Sequence, residues 1–432
     1  MSVTSAYRTG VRVLRGSPML ASMAVGWLAS EYPPRVVAAQ ALSCLRDERI
    51  DRFARGIAAQ GADSVLDRAL RDTFGDDYAE LVRHPIEPAD ARRPAGRRRT
   101  ARGRAVPRRR RYAASISDIS YGPGGPAHLL DIWRPESAAG NRLPVLLQIP
   151  GGAWTMNDKR GQAYAQMARM VDLGWICVAI NYRRSPRHSW PAHILDVKRA
   201  LAWVRHNIID YGGDPDFIAL TGGSAGGHLC ALAALTANQP VLQPGFESAD
   251  TTVHAAVPYY GVYDLTSVDN MHEMMLPFLE RVVFKSRFAD DPTRFESASP
   301  ICNIKSSAPP FFVIHGDRDP IVPSSQARAF CAALRNAGVE TVCHAELPNA
   351  AHAFDTAISL RSQVVADAVA DFLGIAYGRY LSGRITTDGG FGKSARRVDG
   401  EVLGTDGGRV VGMEAASGTG DLVGLVDHAG IC

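Results

Sequence analysis

The chain has 432 residues, enough for one large α/β domain with additions or for two domains, and its 46 % hydrophobic content is ample for a core. Eleven arginines and no acid lie between Arg92 and Arg111; removing them from the formal net charge of +4 leaves the rest at −7, which gives no reason to expect a nucleic-acid partner. Seven scattered cysteines without a C-x-x-C pair exclude a disulfide framework and a zinc site as organising features, and most read as core residues.

Gly16 to Ser30 is uncharged and follows Arg8, Arg12 and Arg15, as in a signal peptide. It is short for a membrane span. Leu28 and Ser30 make a poor cleavage site, and the helical pattern that continues after Pro34 favours a buried amphipathic helix. From 35 to 83, Val36, Val37, Ala41, Leu42 and Leu45, then Val65, Leu66, Leu70, Phe74 and Leu81, recur at helical spacing. We therefore draw an N-terminal helical region over 1–88, either a separate domain or a cap over an active site.

Residues 89–112 are mostly Arg, Pro, Gly and Ala and read as a disordered linker. The other reading is a patch that docks on anionic lipid or nucleic acid.

Strand patterns follow at Ala127 to Trp133, Leu143 to Ile149, Trp175 to Ile180, Phe217 to Leu220, Val253 to Tyr260, Pro310 to Ile314 and near Glu340 to Leu347. Helical segments separate them: Arg160 to Val171, His193 to His206, Leu229 to Thr236, Ser324 to Asn336, and a last one from about Ala357. Alternating strands and helices predict an α/β domain over 113–377, with a mainly parallel sheet covered on both faces and a site at the carboxyl ends of the strands. The methionine-rich stretch 264–304 reads as a cap or lid insertion, or as helix packed on the core. After Arg379 the chain turns Gly-rich and aperiodic, and 378–432 is expected to be a disordered tail.

The chain is organised around Gly222-Gly223-Ser224-Ala225-Gly226, a G-x-S-x-G after an apolar strand and before an Ala/Leu-rich helix. A sharp strand-to-helix turn needs small flanking residues and leaves the serine hydroxyl standing clear above the sheet, so Ser224 is the candidate nucleophile. A serine needs a base, and the base an orienting acid. Downstream, the strand Phe311 to Ile314 runs into a loop with Asp317 and Asp319. Asp319, followed by Pro320, is favoured as the acid, with Asp317 capping the turn. His352, in the loop after the last strand, is the candidate base; His344, His315, His228 and His206 are weaker. The order Ser224, Asp319, His352 is that of an α/β-hydrolase. The glycine turn leaving Leu143 to Ile149 supplies a candidate oxyanion hole at Gly151, Gly152 and Ala153, completed by Ala225. Of these, the amides of Gly152, Ala153 and Ala225 are the preferred donors.

These residues resemble the α/β-hydrolase superfamily, and more closely the hormone-sensitive-lipase-like carboxylesterases, over about Ala113 to Gly374. The motifs are P-G-G-A-W at Pro150 to Trp154, N-Y-R at Asn181 to Arg183, G-G-S-A-G-G-H at Gly222 to His228, Y-G-V-Y-D at Tyr260 to Asp264, G-D-R-D-P-I-V-P from Gly316, and A-H-A-F at Ala351 to Phe354. The resemblance implies hydrolysis of carboxylic esters with short or medium acyl chains, through an acyl-enzyme, without cofactor or metal. The chain departs from the family at Pro150, where a histidine usually braces the oxyanion loop, and at Ala153, where a third glycine often stands.

The reading is thus a serine carboxylesterase or lipase acting on a small-molecule ester or lipid. Its rivals are an amide, arylformamide or peptide hydrolase on the same triad, and a non-catalytic binding protein on the scaffold. No nucleic-acid partner is expected, and the N-terminal region or the arginines offer peripheral membrane association. The location is then cytoplasmic or peripheral to a membrane or the cell envelope, with secretion left open.

Overall fold

The computed structural model describes residues 61–86 and 116–387, apart from 139, 268–269 and 357–358. The expectations for Gly16 to Ser30, for the helical pattern before residue 61, for the arginine run Arg92 to Arg111 and for the tail beyond Thr387 fall outside these residues.

Among the described residues, eight strands form one sheet: β1 Ile119–Ser120, β2 Leu129–Trp133, β3 Leu143–Ile149, β4 Ile176–Ile180, β5 Gly213–Gly223, β6 Ala255–Tyr259, β7 Phe311–Gly316 and β8 Val342–Leu347, in the order β1-β2-β4-β3-β5-β6-β7-β8. β1 pairs with β2, and β2 with β4, antiparallel. Every pairing from β4 through β3, β5, β6 and β7 to β8 is parallel. The central strand β3, Leu-Pro-Val-Leu-Leu-Gln-Ile, is buried at every position, as a parallel strand covered on both faces must be. The edge strand β8 alternates at His344 and Glu346, because one of its flanks meets solvent.

The α-helices among the described residues are α1 Ala62–Phe74, α2 Tyr164–Asp172, α3 Ala192–Asn207, α4 Ala225–Leu235, α5 Met275–Phe278, α6 Pro292–Ala298, α7 Ser324–Asn336 and α8 Leu360–Thr387. α3, α4 and α7 cover one face and share a core with Val145, Leu147, Ile218, Leu220, Phe311 and Val313. α1, α2 and α8 cover the other, against Leu146, Phe217, Ala219, Phe312 and Ile314.

Two expected boundaries differ from what is found. Residues 62–81 join the hydrolase core: Leu66 and Leu70 of α1 are 1 % exposed and pack in one cluster with Cys343 of β8 and Phe372 of α8. Each such buried leucine contributes on the order of 2 kcal/mol, so this part of the N-terminal region is integral to the domain. At the other end, α8 runs through the expected start of the tail at 378 and on to Thr387. Its Tyr380 hydroxyl donates to Asp214, and its ring stacks with Tyr377 and packs against Phe217, which keeps the helix going past two glycines.

The stretch 264–304 contains α5, a π-helical turn Leu279–Phe284 and α6. Leu279, Val283, Phe284, Phe295 and Ala298 are buried in the core, with Phe284 stacked on Phe295 at 4.2 Å. Met271, Met275, Leu276 and Phe278 lie half-buried against them. No helix among the described residues is long and apolar enough to cross a membrane.

Candidate active site

β5 ends at Gly223 and α4 begins at Ala225, leaving Ser224 alone in the turn at φ 58°, ψ −121°. That backbone is disfavoured for a residue with a side chain, and the surroundings impose it. The Ser224 amide donates to Tyr259 O at 3.0 Å, and His228 N closes the first helical turn onto Ser224 O at 2.9 Å. Gly226 is needed for space, since a Cβ there would stand 2.2 Å from Ile149 O.

His352, in the loop after β8, brings Nε2 to 2.8 Å from Ser224 Oγ and Nδ1 to 2.6 Å from Asp319 Oδ2. His352 Nδ1–H donates to the ionised carboxylate, which fixes the tautomer and leaves Nε2 free to accept the serine hydroxyl. Asp319 is itself anchored, with Oδ1 accepting from the amides of Ile321 and Val322 at 2.9 Å each. His315 Nε2 lies 3.3 Å from Asp319 Oδ2 and 2.9 Å from Val322 O. Burial pushes the Asp319 carboxyl up, but the charge of His352 and the hydrogen bonds of His315 and His352 outweigh it and hold Asp319 well below the usual carboxylate range. Asp317, the other acid of this loop, is exposed, and its amide bonds Leu347 O.

The structure thus draws Ser224, His352 and Asp319 into one hydrogen-bonded line. The other histidines stand elsewhere: His206 is exposed near the end of α3, His344 projects from β8, and His228 is buried on α4. The face of His352 is covered by Tyr260, ring centroids 4.7 Å apart, whose hydroxyl donates to Asp355. Burial, reinforced by the Asp355 charge, raises Tyr260 well above the usual phenol range, and burial also raises Asp355.

The loop leaving β3 packs directly on the serine turn, because a Cβ on Gly151 would stand 2.3 Å from Gly223 O. The expectation for Gly151 as an oxyanion donor is corrected here: its amide donates to Gln162 Oε1 at 2.6 Å, in a buried bond that leaves no N–H for a substrate. The amides of Gly152 and Ala153 make no hydrogen bond among the described residues, and that of Ala225 is the first of α4, where a helix has no internal acceptor for it. Gly152, at φ +113°, takes a backbone open to glycine.

With proline in place of a bracing histidine, other groups hold this loop. Tyr182 donates its hydroxyl to Pro150 O at 3.0 Å, Asn181 Oδ1 accepts from Lys159 N at 2.8 Å, and the buried Lys159 ammonium lies 2.8 Å from Asp131, whose carboxylate Arg160 also engages at 2.6 Å. Asn181 and Tyr182 of the N-Y-R motif therefore serve the loop, while Arg183 pairs with Asp196 of α3 at 2.7 Å. Neither Gln162 nor His315 is signalled by its spacing in the sequence; each acquires its role only through contacts made in the fold.

This arrangement provides a proton acceptor at a serine hydroxyl, a buried carboxylate behind it and free amides beside it, the equipment for acyl transfer. Comparison with known proteins agrees. The BD-FAE family model matches residues 130–334. The esterase LipQ of Mycobacterium tuberculosis is 61% identical over 380 residues, 87% of this chain and 90% of that protein. The probable carboxylic ester hydrolase LipM of the same organism is 47% identical over 403 residues, 88% of this chain and 91% of that one. Among solved structures, a thermophilic esterase of the planctomycete Thermogutta terrifontis with propionate bound is similar at a TM-score of 0.51 and 25% identity, covering 60% of this chain and 93% of that one. A truncated carbohydrate esterase from gut microbiota is similar at a TM-score of 0.53 and 25% identity, covering 61% and 97%. By its sheet order and these likenesses, the chain belongs to the α/β-hydrolase esterase family.

Proposed function

We propose that this esterase hydrolyses carboxylic esters with short to medium acyl chains through an acyl-enzyme on Ser224. The observation that carries the reading is the line Asp319–His352–Ser224, with separations of 2.6 and 2.8 Å. As Ser224 Oγ attacks the ester carbonyl, its proton passes to His352 Nε2, and Asp319 stabilises the imidazolium that forms. The carbonyl oxygen, now an oxyanion, accepts from the amides of Gly152, Ala153 and Ala225. Collapse expels the alcohol, which takes the proton from His352. Water then repeats the attack on the acyl-enzyme, with the same histidine as base, and releases the acid. The half-buried Met271, Met275, Leu276 and Phe278 form the apolar wall in this reading, since Met side chains adapt to chains of varied length.

Two measurements test it. A fluorophosphonate should label the peptide that contains Ser224 and no other, read by mass spectrometry; labelling elsewhere overturns the assignment. A p-nitrophenyl ester series from acetate to palmitate, run beside matched p-nitroanilides, should peak at short or medium chains and favour the ester; a preference for the anilide overturns the substrate class.

We also propose peripheral association with anionic lipid through the arginines of Arg92 to Arg111, a run of eleven positive charges. Co-sedimentation with phosphatidylserine vesicles should fall when these arginines are replaced and when salt is raised; unchanged binding removes the proposal.

A further inference from the structure

Ala153 and Trp154 lie side by side at φ 52° and 57°, in the left-handed region that residues with side chains rarely occupy. Two such residues in sequence do not hold themselves, so something outside the loop must keep them there. The Trp154 carbonyl accepts from Ser185 N at 2.9 Å, which fixes one side of its backbone. The side chain is fixed separately. Trp154 is 2 % exposed, and its indole Nε1–H donates to His228 Nδ1 at 3.2 Å, the two rings meeting edge-on at 5.2 Å. His228, 1 % exposed, donates its other nitrogen, Nε2–H, to Ala298 O at 2.7 Å at the end of α6. One imidazole, a single helical turn after the serine, therefore ties the oxyanion loop, the helix α4 and the 264–304 segment together.

We propose that His228 is a positioning residue for ester hydrolysis: by accepting the Trp154 indole proton it clamps the loop in the backbone that aims the Gly152 and Ala153 amides at the oxyanion. This rests on the catalytic reading above and deepens it. The tautomer is dictated by the geometry, since a carbonyl faces Nε2 and can only accept, leaving the Nδ1 lone pair for Trp154. Burial keeps the imidazole neutral, lowering its pKa to about 4 against a smaller opposing pull from the Ala298 carbonyl. His228 touches neither the serine hydroxyl nor His352, so its part in the reaction runs through the loop.

The test separates the two nitrogens. In His228→Asn the amide oxygen takes the place of Nδ1 and can still accept from Trp154. In His228→Gln the amide nitrogen takes the place of Nε2 and keeps the Ala298 bond, and His228→Leu keeps neither. Each variant is assayed for kcat and KM on p-nitrophenyl butyrate and for affinity toward an arylboronic acid, whose tetrahedral adduct with a serine mimics the oxyanion. Leu and Gln should lower kcat by roughly 10- to 100-fold, below the loss expected on deleting a donor outright, and weaken boronate by the same factor. KM should stay within about threefold, since the ground-state carbonyl needs the donors less. Asn should restore both. Trp154→Phe, which keeps the buried ring and removes only the donor, should match Leu, and in the double variant the losses should not add. Wild-type kcat and boronate affinity in Leu or Phe, or rescue by Gln instead of Asn, overturns the clamp. If Leu fails to fold, Trp154→Phe decides alone. Failure of the underlying reading looks different: it shows in the wild type, as ester hydrolysis that survives Ser224→Ala.

Discussion

Replacing Asp319 by asparagine changes one atom type and little volume, yet the structure says which way the new amide must face. Oδ1 accepts from the amides of Ile321 and Val322 at 2.9 Å each, and only an oxygen can stand there. The asparagine nitrogen must therefore occupy the Oδ2 position, 2.6 Å from His352 Nδ1. Two N–H groups cannot face each other at that distance, so Nδ1 loses its proton and accepts. The proton moves to Nε2, where it meets the Ser224 hydroxyl, and the base is gone from the side that needs it. A folded serine hydrolase carrying this wrong tautomer loses about 10⁴-fold in kcat, as in the serine-protease case that sets the scale, or about 5.5 kcal/mol of barrier. The assay is kcat and KM on p-nitrophenyl butyrate, with circular dichroism to show the variant folded. An Asp319→Asn enzyme within tenfold of wild type would refute both the tautomer argument and the role given to Asp319.

Other outcomes follow from the same geometry. Gln162→Leu strands the buried Gly151 amide, which costs about 1–3 kcal/mol; kcat should fall by roughly tenfold or more while KM holds, and an unchanged kcat would mean the bond to Gln162 does not shape the loop. Gly226→Ala puts a methyl 2.2 Å from Ile149 O, an overpacking expected to cost about 3 kcal/mol. Gly383→Ala, on exposed helix with nothing within 4 Å of the new Cβ, should leave the melting temperature unchanged or higher; equal effects at the two sites would refute the close approach. Burial lowers the pKa of His228 and of His344 to about 4 each. Between about pH 6.5 and 4 these two histidines bind protons in the unfolded chain and not in the folded one, so their contribution to stability should fall with pH across that window and level below it. For His228 alone the loss is on the order of 3 kcal/mol, and His228→Asn should flatten the urea-midpoint profile; an unaltered acid slope would contradict its burial as a neutral group.

Where a pattern is local, sequence and structure agree closely. β3 is found at Leu143–Ile149 and α7 at Ser324–Asn336, the bounds that their apolar runs predict. β1 is two residues of an antiparallel edge, too short to leave a period. α4 starts four residues before its expected Leu229, because Ala225 to His228 look like turn residues until the sharp bend at Ser224 launches the helix. α8 outlasts its expected end because Tyr380 bonds to Asp214, more than 160 residues earlier, a contact invisible to composition. The same split runs through the site. Ser224, Asp319 and His352 sit in loops after strands and carry recognisable neighbours, whereas the use of the Gly151 amide by Gln162 depends on a side chain folding back across the loop. His228 and His315 were legible only as spare histidines; their partners, Trp154, Ala298, Asp319 and Val322, come together through tertiary packing.

The most direct test of the central claim is steady-state hydrolysis of p-nitrophenyl butyrate by the wild type and Ser224→Ala, with matched circular dichroism spectra. The wild type should turn over, and the folded variant should lose roughly 10⁶-fold in kcat, the scale on which removing a serine nucleophile acts. Turnover in Ser224→Ala comparable to wild type would contradict it.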